Sequence, residues 1–326
     1  MSQKVLKVIM FVKPLLTRLK PYLRWVILGG TLFFIAKALK DNWREVTDLQ
    51  ITAQTWSLLT VSLGITLLAH LWSGWVWHWI LALFNQPLGG LWSTQVYLKT
   101  NVAKYLPGNV WHFYGRVRAL QTTGTPTGTA VLSVVMEPLL MAVAALILGC
   151  LVGGWQLSGS RWWIGQVVVL CIALVSVHPR IFNPVLQTLS RAKAKAQRLT
   201  FEGDRSPPLK AYPLRPLIGE IGFVALRASG FVFTVAALQP LTADAIQSLV
   251  AAFSLAWLLG LVIPGAPGGV GVFEATAISL LGGEFPAAVI LSSVAFYRLI
   301  STLAEVIGAA LAWLSEKMTD TAQSKQ

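Results

Sequence analysis

Acidic residues are scarce in this sequence, and charge of either sign is thin. Thirteen Asp+Glu stand against 26 Lys+Arg, and charged residues make up 12% of the chain. A soluble domain carries about a quarter, so a chain with half that amount and 55% hydrophobic residues cannot solvate itself as a globule. Mean hydropathy is +0.64. The class is polytopic membrane protein. Cysteine is nearly absent: Cys150 and Cys171 are the only two, both inside apolar segments, and no disulfide framework is indicated. The four histidines, His70, His78, His112 and His178, are scattered, with no His-Glu-x-x-His or Cys-x-x-Cys spacing for a metal. There is no Gly-x-Ser-x-Gly elbow and no phosphate loop ending in Gly-Lys-Ser/Thr. All five aspartates lie outside the apolar runs and far apart. Ordinary hydrolysis and nucleotide-driven pumping therefore lack their parts. The expectation is a non-enzyme with no catalytic residue, no cofactor and no metal.

The basic excess does not point to nucleic acid, because it is confined to stretches between apolar segments, where cytoplasmic loops and lipid-facing surfaces carry it. Residues 1–24 hold Lys4, Lys7, Lys13, Arg18, Lys20 and Arg24 and no acid. They read as a cytoplasmic arm, either lying on anionic lipid or serving only as a topology signal. A first apolar run, 25–39, reads as a retained anchor rather than a cleaved signal. Further spans are predicted at 56–84, 128–155, 162–179, 216–240, 246–264 and 287–314, each near the ~20 residues that cross hydrocarbon. The connections alternate in charge. Residues 85–127 carry Lys99, Lys104, Arg116 and Arg118 without an acid, and 180–215 is long and basic, whereas 241–245 has only Asp244. The positive-inside rule places the N-terminus, 85–127 and 180–215 in the cytoplasm of a cell (plasma) membrane protein. The expected architecture is an all-α, polytopic integral membrane helical bundle of about 7–8 transmembrane helices with two Pro/Gly-broken or re-entrant segments. It divides into the arm 1–24, a membrane domain 25–314 and a polar tail 315–326. A crossing by 270–281, which gives eight spans and a cytoplasmic C-terminus, is preferred over a re-entrant half-helix there.

Two segments break the apolar pattern. One is Pro264 to Glu274, with Gly265, Gly268, Gly269 and Gly271 before a carboxylate. Proline removes a backbone donor, glycine admits a close neighbour, and broken backbone at membrane depth survives only where protein buries it or a wet cavity solvates it. The other is Lys104-Tyr105-Leu106-Pro107-Gly108-Asn109-Val110-Trp111, followed by Arg116. An aromatic-walled bend with cations at its ends suits a phosphate headgroup, since guanidinium binds phosphate oxygens bidentately and ammonium adds a point charge. Its plainer reading is an interfacial loop that anchors helix ends. Trp72, Trp75, Trp77 and Trp79 read as an interfacial aromatic belt.

Inside the spans, Glu137, Arg227, Glu274, Arg298 and Glu305 are ionisable. Unpaired, five such groups would cost on the order of 12–17 kcal/mol, so they must pair, neutralise or face water. Arg298 and Glu305 share a helix face but lie ~10 Å apart along the axis, as do Glu220 and Arg227. Their partners must come from other helices, giving a polar seam through the bundle. Glu220, near a span end, is expected to snorkel to the interface.

With both broken segments in hand, the chain resembles the transmembrane, flippase-like region of the lysylphosphatidylglycerol synthase superfamily. The resemblance rests on Lys104 to Arg116, on Pro264 to Glu274 and on Tyr297-Arg298, and covers most of 25–314. Glu137 falls where that family often shows an acid followed by arginine, whereas here Pro138 follows. The resemblance implies a bundle that handles the headgroup of a phospholipid or lipid-linked molecule and moves it between leaflets. It also implies a stand-alone member, because the soluble aminoacyltransferase domain is not expected in a chain ending twelve residues past Leu314. The ligand-binding set it suggests is Lys104, Tyr105, Pro107, Gly108, Trp111, Arg116, Glu137, Pro264, Gly265, Gly268, Gly269, Gly271, Glu274, Tyr297 and Arg298. The partner expected is membrane phospholipid with an anionic or aminoacylated headgroup, with a homo-oligomer or a separate synthase as further partners. A non-transporting adaptor working through the basic loop 191–215, and an ion-coupled small-solute transporter, are the rival readings.

Overall fold

The computed structural model describes residues 40, 51–105, 110–153, 159–184, 208–263 and 271–323. The arm 1–24, the first apolar run and most of the basic loop 180–215 lie outside the described residues. Among those described, the architecture is all-helical: α1 (Ala53–Leu83), α2 (Gly90–Asn101), a 3-10 turn (Val102–Tyr105), α3 (Trp111–Thr122), α4 (Thr127–Gly153), α5 (Gly159–Ser176), α6 (Leu214–Ala236), α7 (Ala243–Val262), α8 (Val272–Leu281) and α9 (Ala287–Gln323). Five of them, α1, α4, α6, α7 and α9, are long and apolar enough to cross a membrane. Two of them, α1 and α7, begin where their sequences supply caps. Thr52 and Thr55 bond reciprocally at the start of α1, and the Thr242 hydroxyl accepts the Ala245 N–H at the start of α7.

Contacts fix the helix directions. Leu59, Ala237 and Ile300 share one small core, and Gly308 lies against Leu67, so α1 and α9 run parallel while α6 runs against them. The α1–α6 seam is tight because Gly219 leaves room for Val76 and Trp79. A Cβ at Gly219 would stand 2.6 Å from Val76 and 2.9 Å from Trp79. Lipid gives helices no hydrophobic reason to associate, so close packing at small residues carries such seams. Gly219→Ala is expected to lower stability by about 1–3 kcal/mol, the usual range for overpacking. Thermal melting in detergent against Gly64→Ala, whose added Cβ meets nothing within 4 Å, checks it.

Helix α5 contributes least to the interior. Its residues Ile164, Val168, Val169, Ile172 and Val175 are all exposed, which is the surface a lipid-facing helix presents. The tryptophans of α1 do not form the expected belt. Trp77 is fully buried and stacks on Trp92, and the Trp72 indole donates to the Gly219 carbonyl at 2.7 Å. Of Trp72, Trp75, Trp77 and Trp79, Trp75 alone is well exposed. The bundle bends the chain back onto α1 through α2, which covers the face a solitary span would show to lipid.

That bend is also the main departure from the predicted topology. Residues 85–127 do not lie on the surface as a loop. Helices α2 and α3 form a hairpin that starts beside Trp75, near the C-terminal end of α1, and its tip reaches the bundle's middle. The Tyr97 hydroxyl meets Ser73, Lys104 meets Glu305, and Tyr105 meets Thr302. Helices α7 and α8 form a second hairpin from the other end. Leu281 and Phe285 pack with Ala245, Leu249 and Val289, so α8 returns to the end where α7 and α9 begin. The preferred crossing at 270–281 is therefore not made: ten residues of α8 rise only ~15 Å, half of the hydrocarbon thickness. The C-terminal part of α9 lies on the side of the first hairpin, where Lys99 bonds Glu316 and Gln95 bonds Ser315.

Candidate functional site

Between the two hairpins lies a cavity of about 850 Å3, lined from α1, α2, α3, α4, α6, α7, α8 and α9. Its rim includes Val135 on α4, Val262 at the end of α7 and Tyr105, all exposed. The walls are mostly apolar and aromatic, with charge gathered in three clusters.

The first cluster sits under the first hairpin. Arg116, on α3, is 2% exposed and ion-paired with Glu137 of α4. Its guanidinium lies 3.9 Å above the Tyr97 ring, a cation–π contact strengthened by burial. Pro138 follows Glu137 within α4. It cannot donate to the turn before it, which loosens the helix just where the carboxylate turns inward. The second cluster lies at the tip. Glu305 Oε1 accepts Lys104 Nζ at 2.5 Å and stands 3.3 Å from His70 Nε2. Arg227 NH1 donates to Ser301 at 2.8 Å and lies 3.3 Å from the same His70 nitrogen, with its guanidinium 5.1 Å from the Tyr297 ring. Tyr297 in turn donates to the Arg227 carbonyl at 2.8 Å.

The third cluster joins the second hairpin to α9. Arg298 Nε donates to Glu274 Oε1 at 2.8 Å, and the Arg298 side chain is about one-third exposed. The other Glu274 oxygen accepts the Gly271 N–H, the residue just before α8. One carboxylate therefore caps the half-helix and holds a cation. Gly271 has φ +94°, a conformation that side chains resist, so this position requires glycine.

Counted together, Lys104, Arg116, Arg227 and Arg298 give four cations against three carboxylates, Glu137, Glu274 and Glu305, leaving one positive charge in excess. Arg227 is the cation without a carboxylate within 4 Å among the described residues, and its Nε, buried, has no hydrogen-bond partner. A guanidinium cannot shed its proton, and at this depth a lone charge is costly. Among the described residues this cation is the one in the cavity that no carboxylate offsets.

Of the residues the sequence singles out, Lys104, Tyr105, Arg116, Glu137, Glu274, Tyr297 and Arg298 line this cavity together, and Gly271 positions Glu274. Trp111 is not among the lining residues. It stands at the start of α3, exposed, edge-on to Tyr114. Pro107, Gly108, Pro264, Gly265, Gly268 and Gly269 lie outside the described residues. Lining residues missing from the set include His70, Tyr97, Asn101, His112 and Arg227. Arg227 carried a signal, since it is an ionised group in a span with no partner on its own helix. The others carried none, because a tyrosine or histidine in an apolar run is ordinary core until its neighbours are known. Glu220 does not snorkel as expected. It is 0% exposed, since the close approach of α6 to α1 at Gly219 seals that face of the helix.

No curated protein matches the chain. The family model for the lysylphosphatidylglycerol synthase TM region matches residues 22–308, a range that takes in both hairpins and every charged residue of the cavity. This chain is a multi-pass membrane protein that belongs to the lysylphosphatidylglycerol synthase TM region family.

Proposed function

We propose that this protein binds the anionic headgroup of a phospholipid or lipid-linked molecule in the mid-bundle cavity and passes it between leaflets. The observation that carries this reading is Arg227: a buried guanidinium with no carboxylate partner among the described residues, facing a cavity of about 850 Å3. A phosphate would satisfy the open Nε and offset the charge in excess, and Lys104, Arg116 and Arg298 stand round the same space. The exposed apolar rim at Val135 and Val262 suits acyl chains that stay in hydrocarbon while the headgroup enters. Hairpins reaching the midplane from opposite ends put broken backbone and charge at the point where transporters bind substrate. Because the sequence carries no nucleotide site, transport runs downhill or on an ion gradient. With the basic segments in the cytoplasm of the cell membrane, the first hairpin enters from the cytoplasmic leaflet and the second from the opposite one.

The test is redistribution of a fluorescent anionic phospholipid in vesicles holding the purified protein. Removing a charge-assisted hydrogen bond worth about 1.5–3 kcal/mol is expected to slow it about ten- to a hundredfold in Arg227→Gln. Redistribution at the wild-type rate in Arg227→Gln, Arg116→Gln and Arg298→Gln alike overturns the reading.

A further inference from the structure

Glu220 has no role in the cavity described above. It is completely buried, and neither carboxylate oxygen has a hydrogen-bond partner among the described residues. The groups acting on it electrostatically are Glu137 of α4 and Arg116 of α3, and it acts in turn on Tyr97 of α2. From α1, Ser73 is bonded to Tyr97, and His70 belongs to the Glu305 cluster. Helix α7 offers only Asp244, at its far end. Arg116 is paired directly with Glu137, whereas Glu220, the other buried carboxyl, has neither an ion pair nor a hydrogen bond among the described residues. An ionised carboxylate that is neither hydrogen-bonded nor paired does not persist in such a place, whereas its protonated form does.

We propose that Glu220 is a proton-binding site, and that Glu137 and Glu220 hold one or two protons according to where Arg116 is engaged. In the resting arrangement Arg116 neutralises Glu137, and the single proton sits on Glu220. When an anion in the cavity draws Arg116 away, Glu137 loses its counter-charge. It then takes a proton from the aqueous side onto a carboxylate oxygen, so that the anion and a proton enter together. This coupling rests on the headgroup-binding reading, whereas the resting proton on Glu220 does not.

Infrared spectroscopy of the purified protein in nanodiscs, read at the carbonyl band of protonated carboxyl groups at neutral pH, tests both parts. Wild type is expected to show a band that Glu220→Gln lacks. The amide reproduces the shape of the neutral acid, so that variant keeps its fold, as gel filtration and melting will verify. Arg116→Gln is expected to give about twice the wild-type band, as removing the cation protonates the second carboxyl. Arg116→Gln/Glu137→Gln then returns to the single band. Where Arg116→Gln does not fold, wild type in phosphatidylglycerol nanodiscs is compared with wild type in phosphatidylcholine nanodiscs, and the larger band belongs to the anionic lipid. A wild-type spectrum in which Glu220→Gln removes nothing overturns the proton site. A band that Arg116→Gln and anionic lipid both leave unchanged overturns the coupling. If anionic lipid is redistributed and the band does not respond, lipid handling stands without proton coupling; if the band responds to Arg116→Gln and no lipid moves, the proton site stands without transport.

Discussion

Glu305→Gln is expected to destabilise the folded protein by about 3–5 kcal/mol, because it removes the one carboxylate of the tip cluster and leaves buried charge uncompensated. Glu305 is 1% exposed and holds Lys104 from the first hairpin, with His70 on the same oxygen. Arg227 lies 3.3 Å from that same His70 and also donates to Ser301. Lys104 has a remedy, since an ammonium can give up its proton, but the Arg227 guanidinium has none. The hairpin tip should therefore detach from α9 before the bundle melts. Two measurements check this. The melting temperature of the detergent-solubilised protein falls, and with Cys150→Ser and Cys171→Ser in place, Tyr105→Cys becomes more reactive to a water-soluble thiol reagent in the Glu305→Gln background. Adding Lys104→Met to Glu305→Gln should recover most of the loss, because an apolar side chain of similar length replaces the stranded cation. Equal melting of Glu305→Gln and wild type would mean that the cluster is wet enough for water to stand in for the carboxylate.

The second large effect is at the Arg116–Glu137 pair. Arg116→Met is expected to cost about 3–5 kcal/mol, while Arg116→Met/Glu137→Leu is expected to melt near wild type. Both side chains are essentially buried, so the pair gave up its hydration on folding, and an apolar pair of similar volume gives up none. The double variant then separates stability from function: it folds, but it lacks a cation for the headgroup and the contact with the Tyr97 ring. Its redistribution of anionic lipid should fall to the protein-free rate. A double variant as unstable as the single one would show that packing against Tyr97 and Trp77, rather than charge, is what Arg116 supplies.

The sequence marks the bundle well and the site in part. Hydropathy found the segments now seen as α1, α4, α5, α6, α7 and α9, because a span must be apolar along its whole length whatever it packs against. It misread 85–127, since α2 and α3 are 12 residues each and nearly neutral in hydropathy. A hairpin that protein covers on both sides has no need to be apolar. Misreading Glu220 has the same origin. Its place near a span end suggested the interface, and only the contact at Gly219 sealed it inside.

What the sequence determined by itself was the membrane, five of the costly charges within it, and the two segments where proline and glycine interrupt the apolar pattern, whereas Glu220 and Arg116 joined those charges only in the fold. The first three follow from transfer free energy and backbone sterics, which act residue by residue. What only the tertiary structure decided was which charge meets which. Lys104 and Glu305 are 201 positions apart and Arg227 and His70 are 157 apart, and no local rule couples residues at such distances. The first hairpin brings Lys104 to Glu305 and α8 brings Glu274 to Arg298, and Arg227, the cavity's cation without a carboxylate among the described residues, is visible only once those pairs are made.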